Sequence, residues 1–452
     1  WMQNGQKKAW PDDARRGSLG LAALLLAVAA FFTLAATAAA ALLRFRAAEL
    51  TAERIALFRA LLLVSAGLAL GSLAAAVAAF FCRRQKNALA GLAAVLALLV
   101  FAVSFGATYA YRYMFGELTN DDAFHDIDAS QLRVYEPEAD GRIVRRTELP
   151  EQTLSPEEVL GRIDIEQVQW EDLTDEDIPP DALKKMNSAA PVNHSYLLEG
   201  ADQISNFLLI GLDDYGSSDA MIIFSLDRVH HKIKMISLAR DTYVMYPAWG
   251  KYGKLNYAYN FGGIEWTVAT INYNFSLNIT DYITVEMAEL EKIIDLVGGV
   301  DIELTAAEAP YVRVPAGRNH LNGEQAVGYA RIREIDSEEA RTGRQRKVLT
   351  SILNSVVTLP LTEYPSLIRG CLGLCQTSFS ADELLALASE AALGGYAIEQ
   401  YALVALVDYW GGQFGPGEHF YVVYDLNRAS DTLYRLIYEE LYISGYMDPD
   451  EQ

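Results

Sequence analysis

The sequence predicts an α/β domain, a central β-sheet flanked by helices, preceded by three transmembrane α-helices. Two observations predict it. Long apolar runs without internal charge fill the first quarter of the chain, and from Ser205 onward short apolar runs alternate with longer helical patterns. A third observation, charge, divides the same two regions. The first 112 residues carry 12 Lys/Arg against 4 Asp/Glu, which leaves 25 against 55 of the chain's 37 and 59 for the remainder. An acidic body of that size excludes nucleic acid as the partner of the later part, because a phosphate backbone needs compensating cations. Any phosphate site must be a local basic cluster.

Residues 1–18 form a short N-terminal segment, and residues 19–111 hold the apolar runs Leu19–Leu43, Ala60–Phe81 and Ala88–Tyr111. Each is about as long as a membrane span requires, roughly 20 residues. A bundle of buried helices would show polar stripes, and none is visible. A cleaved signal peptide does not account for two further apolar runs. Lys7, Lys8, Arg15 and Arg16 precede the first run, and Arg83, Arg84 and Lys86 lie between the second and third. These mark the cytoplasmic side, although Arg44, Arg46, Arg54 and Arg59 weaken the contrast. Three spans with an inside N-terminus place everything after Tyr111 outside.

Residues 112–200 are acidic, with Asp121, Asp122, Asp126, Asp128, Glu136 and Glu138 and a second cluster from Glu171 to Asp177. They lack the alternating acids and the glycine of a calcium loop, so an acidic linker or small accessory region is expected. Residues 201–358 read as the α/β domain. Asn206–Leu212, Met221–Leu226 and Ile233–Leu238 are strands. Glu265–Tyr273 is a helix, Tyr282–Val285 a strand and Met287–Leu296 a helix that Gly298-Gly299 ends before the strand Val300–Leu304. Asn322 and Gln325 form a capping-box pattern, and a long helix follows over Glu339–Val357. Residues 359–452 are expected to be an α/β extension packed on this domain, with helices at Ala381–Ala391 and Asp431–Tyr442. Cys82, Cys371 and Cys375 make no disulfide framework or zinc pattern. A Cys371–Cys375 bridge fits an oxidising compartment, and buried thiols are the default expectation.

Charged residues gather where the strands end. Asp213 and Asp214 follow the first strand, Asp219 precedes the second, and Arg240-Asp241-Thr242 follows the third. Strand ends of covered sheets are where ligands bind. Carboxylates beside an arginine there suit magnesium holding a diphosphate, and loop caps or surface salt bridges are the plainer alternative. Arg331 and Arg333 come later, and Arg341, Arg344 and Gln345 share a helical face with Val348. Their forked donors match phosphate oxygens. A solvated basic face paired with Glu334, Glu338 and Glu339 is equally compatible with the spacing.

From about Ser205 to Val357 the chain resembles the LytR-CpsA-Psr family of bacterial membrane-anchored phosphotransferases. The resemblance rests on motifs in family order. They are Asn206-Phe207-Leu208-Leu209-Ile210-Gly211-Leu212-Asp213, Ser218-Asp219-Ala220-Met221, Ser237-Leu238-Ala239-Arg240-Asp241-Thr242 and Lys254-Leu255-Asn256-Tyr257-Ala258-Tyr259 with Gly262-Gly263. Asp295-Leu296-Val297-Gly298-Gly299-Val300, Leu321-Asn322-Gly323-Glu324-Gln325-Ala326, Tyr329-Ala330-Arg331-Ile332-Arg333 and Arg341-Thr342-Gly343-Arg344-Gln345-Arg346 complete it. The resemblance implies transfer of a glycopolymer from a polyprenyl diphosphate carrier to peptidoglycan through a phosphodiester, at the outer face of the bacterial cell membrane. It implies Mg2+ (or Mn2+) on Asp213 and Asp219, and diphosphate on Arg240, Arg331, Arg333, Arg341, Arg344 and Gln345. Arg240 and Asp241 are the implied catalytic pair, Asp241 orienting Arg240 or joining the metal site. Asn256 and Tyr259 would shape the pocket entrance, and the prenyl tail would lie between sheet and helices near residues such as Ile223.

Ala239 and Ala220 depart from the family's Pro and Thr, and Arg346 from a second Gln. The short turn from Asp213 to Asp219 also lets Asp214 stand in for Asp213. The motifs contain no histidine, so a carboxylate of the metal cluster is the candidate general base. A lipid diphosphate hydrolase would use the same residues. A non-catalytic membrane-bound regulator is the reading of another class, and it gives no reason to keep both metal and diphosphate groups.

Overall fold

The computed structural model describes residues 171–186, 203–333, 335 and 338–439, with the segments 135–137 and 143–145 and helical residues at 64, 68–70, 72 and 95–103. The three apolar runs and the acidic region to residue 200 lie largely outside these residues. Among the described residues, no helix is long and apolar enough to cross a membrane. The chain divides into two units, one of residues 1–119, 364–369 and 381–394, the other of residues 120–363, 370–380 and 395–452. In the first, Ala69 and Val100 are buried together with Leu68 and Phe101 against them.

The second unit carries the sheet. Its chain order begins with the small hairpin β1 (Tyr135–Pro137) and β2 (Ile143–Arg145) and the helix α1 (Pro180–Met186). Then come β3 (Ile204–Leu212), β4 (Ser218–Asp227), β5 (Lys232–Leu238), and the hairpin β6 (Tyr243–Tyr246) and β7 (Lys251–Lys254). Next are α2 (Tyr257–Phe275), β8 (Asp281–Glu286), α3 (Met287–Leu296), β9 (Val300–Leu304), α4 (Ala309–Val312), β10 (Gly317–Leu321), α5 (Gly323–Ala330) and α6 (Glu338–Thr358). Beyond them come α7 (Tyr364–Leu372), which belongs in its larger part to the first unit, β11 (Gln376–Thr377), α8 (Ala381–Leu393), which belongs wholly to the first unit, then β12 (Ala397–Ala402), α9 (Leu403–Leu406), the hairpin β13 (Tyr409–Phe414) and β14 (His419–Tyr424), and α10 (Leu426–Tyr438).

The six-stranded sheet has the order β11-β8-β3-β4-β5-β12. β3, β4 and β5 pair antiparallel, whereas β8 runs parallel to β3 and β12 parallel to β5. Both edge strands therefore come from beyond residue 358: β11 and β12 finish the sheet that residues 204–286 begin. Alternate side chains face opposite sides of a strand. Leu208, Ile210, Met221, Ile223, Ile236 and Leu238 face a core closed by α2 and α10. Ile223 is fully buried there. A second core joins α3, the β9–β10 hairpin, α5 and α6 through Ile294, Ile302, Leu321, Val327 and Val348.

Local chemistry sets the boundaries. β4 starts at Ser218, three residues before the expected Met221, because a bulge between Gly211 and Leu212 lets Leu212 pair with Ser218. Asp219 is the bulged residue, left without a partner between the pairs Gly211–Ala220 and Leu212–Ser218. α2 starts well before the expected Glu265 and kinks at Gly262-Gly263, where Gly263 has φ +65°. α10 starts at Leu426 rather than Asp431, because the Asp425 side chain accepts from the Asn427 and Arg428 amides at 2.9 and 3.1 Å. The Asn322–Gln325 capping box forms as its pattern predicts. Cys371 and Cys375 are thiols, and burial pushes them up to about 12 and about 11.

Candidate functional site

The sheet topology brings three strand ends to one place. β3 and β5 run toward this end and β4, antiparallel to both, starts from it. Asp213, Asp219 and Arg240 therefore share one edge. Behind β5 the backbone turns sharply: Thr242 donates to the Ala239 carbonyl from both its amide (3.1 Å) and its hydroxyl (2.6 Å). The Asn256 amide donates to the Arg240 carbonyl at 3.0 Å and Ser218 Oγ donates to the Asn256 carbonyl at 3.1 Å. These bonds tie the β4, β5 and α2 motifs together at their backbones.

Asp219 is the hub. Its side chain is 4 % exposed, and Arg240, Arg333 and Arg341 converge on it. Arg341 Nη1 donates to Oδ2 at 2.7 Å, Arg333 Nη2 donates to Oδ2 at 2.9 Å and to Oδ1 at 3.2 Å, and Arg240 Nη1 donates to Oδ1. Burial pushes the Asp219 carboxyl up, and the opposing pull of Arg341, Arg240 and Arg333 is greater, so it ends below the usual carboxylate range. The three arginines differ in access: Arg341 is 2 % exposed, Arg240 23 % and Arg333 51 %.

Asp241 sits behind Arg240. Its Oδ2 accepts from Arg240 Nε at 3.3 Å and its Oδ1 lies 3.0 Å from Lys254 Nζ. Lys254 in turn lies over the rings of Tyr257 and Tyr421. Asp241 therefore orients Arg240 and is itself held by a lysine braced on two aromatic faces.

The two acids of the β3–β4 turn divide their tasks. Asp213 Oδ1 accepts from the amides of Tyr215 (3.0 Å) and Ser217 (2.9 Å), which fixes the turn. Asp214 pairs with Arg331 at 2.8 Å. The sequence expectation gave Asp213 the metal and Asp214 a substitute role; the structure places Asp214 on the basic wall.

Arg344 and Gln345 are buried, at 3 % and 7 %. A solvated helix face paired with Glu334, Glu338 and Glu339 therefore does not describe α6. Arg344 Nη2 donates to the Ile332 carbonyl at 2.6 Å and its Nη1 lies 3.5 Å from Glu308. It anchors the backbone between Arg331 and Arg333. Arg346, read from sequence only as a departure, is buried too and donates to Ser237 Oγ at 2.8 Å on β5. At i+5 from Arg341 it lies off the helical face that Arg341, Arg344 and Gln345 share. Tyr259 is partly buried and its hydroxyl is raised by burial. Asn256 is buried, and its Oδ1 has no hydrogen-bond partner among the described residues. His230 is far from the hub. Its Nδ1 lies 2.8 Å from Asp227 at the other end of β4, about 26 Å from Asp219 by strand rise.

Ala239, Thr342, Val404, Phe420 and Val422, together with the carboxylate-bearing Glu339, line a pocket of about 200 Å³. Ala239 and Thr342 adjoin Arg240 and Arg341 in sequence, so a largely apolar hollow opens next to the cationic hub.

A family model for LytR_cpsA_psr matches residues 174–414, just over half of the chain. The chain belongs to the LytR-CpsA-Psr family. The match reaches past Val357 and takes in β11 and β12, in keeping with their places in the sheet. Among curated relatives of the family, the polyisoprenyl-teichoic acid–peptidoglycan teichoic acid transferase TagU of Enterococcus faecalis is 33 % identical over 189 residues. That alignment covers 39 % of this chain and 62 % of the relative. TagU of Bacillus mycoides is 32 % identical over 207 residues, 44 % of this chain and 64 % of the relative. The chain thus spans less than two thirds of the length of the curated LytR-CpsA-Psr proteins it matches. A crystal structure of B. subtilis TagV is similar at 26 % identity and a TM-score of 0.45, over 52 % of this chain and 97 % of that one.

Proposed function

We propose that this protein takes a glycopolymer from a polyprenyl diphosphate carrier and joins it to peptidoglycan through a phosphodiester. It would act on the outer face of the membrane in which residues 19–111 anchor it. The observation that carries this reading is the convergence of Arg240, Arg333 and Arg341 on one buried carboxylate beside an apolar-lined pocket. Guanidinium groups match the oxygens of a diphosphate, and the pocket suits the first units of a prenyl tail.

Cations and carboxylates nearly balance at this end of the sheet, so a diphosphate must exchange partners with the carboxylates. Arg331 and Arg333 are 45 % and 51 % exposed and can turn to it, while buried Arg341 stays on Asp219. In the structure, four guanidinium contacts occupy the two oxygens of Asp219. A carboxylate has about four lone-pair sites, so its capacity is filled. Among the described residues no group of three or more acids, histidines or cysteines gathers to hold a metal ion, so a magnesium ion here would depend on one or two carboxylates and on the phosphate oxygens themselves. Magnesium takes one or two carboxylates and fills the rest of its shell with phosphate oxygen and water. Asp219 and Asp213 would hold it, and it would neutralise charge on the leaving phosphate.

An acceptor hydroxyl oxygen on peptidoglycan attacks the phosphorus that bears the glycan. A new P–O bond forms, the bond to the bridging oxygen breaks, and polyprenyl monophosphate leaves with the electron pair. The acceptor's proton passes to the accessible carboxylates of the Asp213–Asp214 turn. Arg240, oriented by Asp241, stabilises the charge that develops on the transferred group.

The test mixes the full chain with a labelled polyprenyl-diphosphate glycan, magnesium and peptidoglycan oligomers. Label on peptidoglycan, lost in Arg240→Ala, is the expected result. Release of phosphorylated glycan with no label on the acceptor would make the protein a hydrolase. Bound, unreacted lipid, insensitive to Arg240→Ala, would exclude both enzymatic roles.

A further inference from the structure

A second cleft, of about 400 Å³, lies along α6 beyond its arginines, between that helix, β9 and the edge strand β12. One wall is a stripe on α6. Lys347, Thr350, Ser351, Asn354, Ser355 and Thr358 recur at i, i+3, i+4, i+7, i+8 and i+11, the spacing of one helical face. The stripe rises about 17 Å and begins about one turn past Arg344. The apolar side of the same helix, Val348 and Ile352, is spent on the second core. The facing wall holds Asp301 and Glu303, the outward-pointing residues of β9, with Arg318 and Gln400.

The chemistry of this lining narrows the ligand. Every side chain on the α6 stripe ends in a hydroxyl, an amide or an ammonium. Small-molecule pockets are mostly apolar, and this one is not. Its charges cancel, Lys347 and Arg318 against Asp301 and Glu303, which disfavours a polyanion: binding phosphates requires a cationic excess. Asp301 is paired with Arg318 at 3.1 Å and with His320 at 2.9 Å, and the carboxylate of Glu303 with the amides of Asn354 and Gln400 can both accept and donate hydrogen bonds, the requirement for gripping vicinal hydroxyls. The structure also holds the cleft rigid. Ser351 Oγ accepts from the Asp301 amide at 2.9 Å and donates to its carbonyl at 3.1 Å, and Ser355 Oγ donates to the Gly299 carbonyl at 3.2 Å. Thr350 Oγ1 is buried in the lining and has no hydrogen-bond partner among the described residues.

We infer that this cleft is a binding site for a short, neutral saccharide chain, separate from the arginine hub. Its length suits an oligosaccharide rather than one sugar. Two sources share this chemistry, the glycan strand of the wall and sugars of the carried polymer. Binding stands on the cleft alone, and only the naming of the source rests on the transfer reading.

The full chain is titrated calorimetrically with the N-acetylglucosamine tetramer. Saturable binding is expected, weakened about tenfold in Glu303→Ala/Asn354→Ala, with each lost group contributing one or two hydrogen bonds. Both residues are exposed, and an unchanged melting temperature shows that the variant folds. Arg240→Ala is expected to bind the tetramer as the parent chain does. Binding lost in Arg240→Ala would place the sugar at the hub and overturn the inference, as would no binding at all or binding indifferent to the double substitution. Displacement of the tetramer by peptide-free wall glycan supports the site with the wall as source. Displacement by phosphate-free sugars of the polymer supports it with the polymer as source, and displacement by neither overturns it. None of these readouts requires transfer, so failure here and failure of the proposed activity are distinguishable.

Discussion

Asp219 and Arg341 form the part of the site where structure and chemistry are hardest to separate. Both are almost fully buried, and each neutralises the other. Asp219→Asn removes the charge and keeps the shape, leaving Arg341 without its carboxylate; a buried ion pair broken on one side costs about 3–5 kcal/mol. Urea denaturation of the variant is expected to show that loss. Arg333→Ala removes a half-exposed partner, so it should leave the urea midpoint within about 0.5 kcal/mol while lowering transfer roughly a hundredfold, the usual scale for losing one group that stabilises developing charge. The pair of variants separates folding from function at one carboxylate. The same carboxyl is held below its ordinary value of 3.8 in the folded protein. Protons then prefer the unfolded chain, so Asp219's contribution is full above that ordinary value and is lost as pH falls through its lower folded one. Stability measured from pH 6 downward is expected to hold until about pH 4 and then to fall, and in Asp219→Asn this component of the acid loss should be absent.

Secondary elements hold the arginines in place. α5 delivers Arg331 and Arg333, and its start is fixed by close approach to α3: a methyl group on Gly323 would lie 2.0 Å from the Glu291 carbonyl oxygen. Backbone on the other side cannot swing away as a side chain could. Gly323→Ala is therefore expected to push α5 off α3 and cost about 1–3 kcal/mol or more, read as a drop in melting temperature with a parallel loss of transfer. At this scale the sequence was informative where chemistry is local. The capping box at Asn322, the end of α3 at Gly298-Gly299 and the strands β3 to β5 follow from residues a few positions apart. It was silent where partners are distant. Arg344 meets Glu308 across 36 positions and Arg346 meets Ser237 across 109, so burial of this basic helix face could not be read from its own spacing. The β6–β7 hairpin was missed because its aromatic run, Tyr243 to Trp249, has no clean alternation and is placed by packing on Phe261 and Tyr421.

For the molecule as a whole, the motifs that identify the family end before Val357, yet the fold does not. β12, with the sequence Ala-Ile-Glu-Gln-Tyr-Ala, has too weak a pattern to be read as a strand of the main sheet, and it pairs with β5 along six residues. Its partner β5 carries the turn that presents Arg240. α10 lays Leu433, Leu436 and Ile437 into the core that backs β3, β4 and β5. The Asn206 side chain donates to the Tyr438 hydroxyl at 3.0 Å, joining the first strand to the last described helix. A chain ending at Thr358 would therefore expose one face of the sheet and leave β5 as an unprotected edge. Each buried leucine or isoleucine withdrawn costs about 1.5–3 kcal/mol of burial, so losing these three from α10 costs about 4.5–9 kcal/mol, comparable to the roughly 5–15 kcal/mol by which ordinary domains are stable. An exposed, apolar strand edge also invites pairing between chains. The expectation is that a chain truncated after Thr358 aggregates and binds no lipid diphosphate, although every recognisable motif is present, whereas one truncated after Glu439 folds and retains the site. Soluble, cooperatively melting protein from the shorter chain would show instead that residues 204–358 fold unaided and that the later strands merely decorate them.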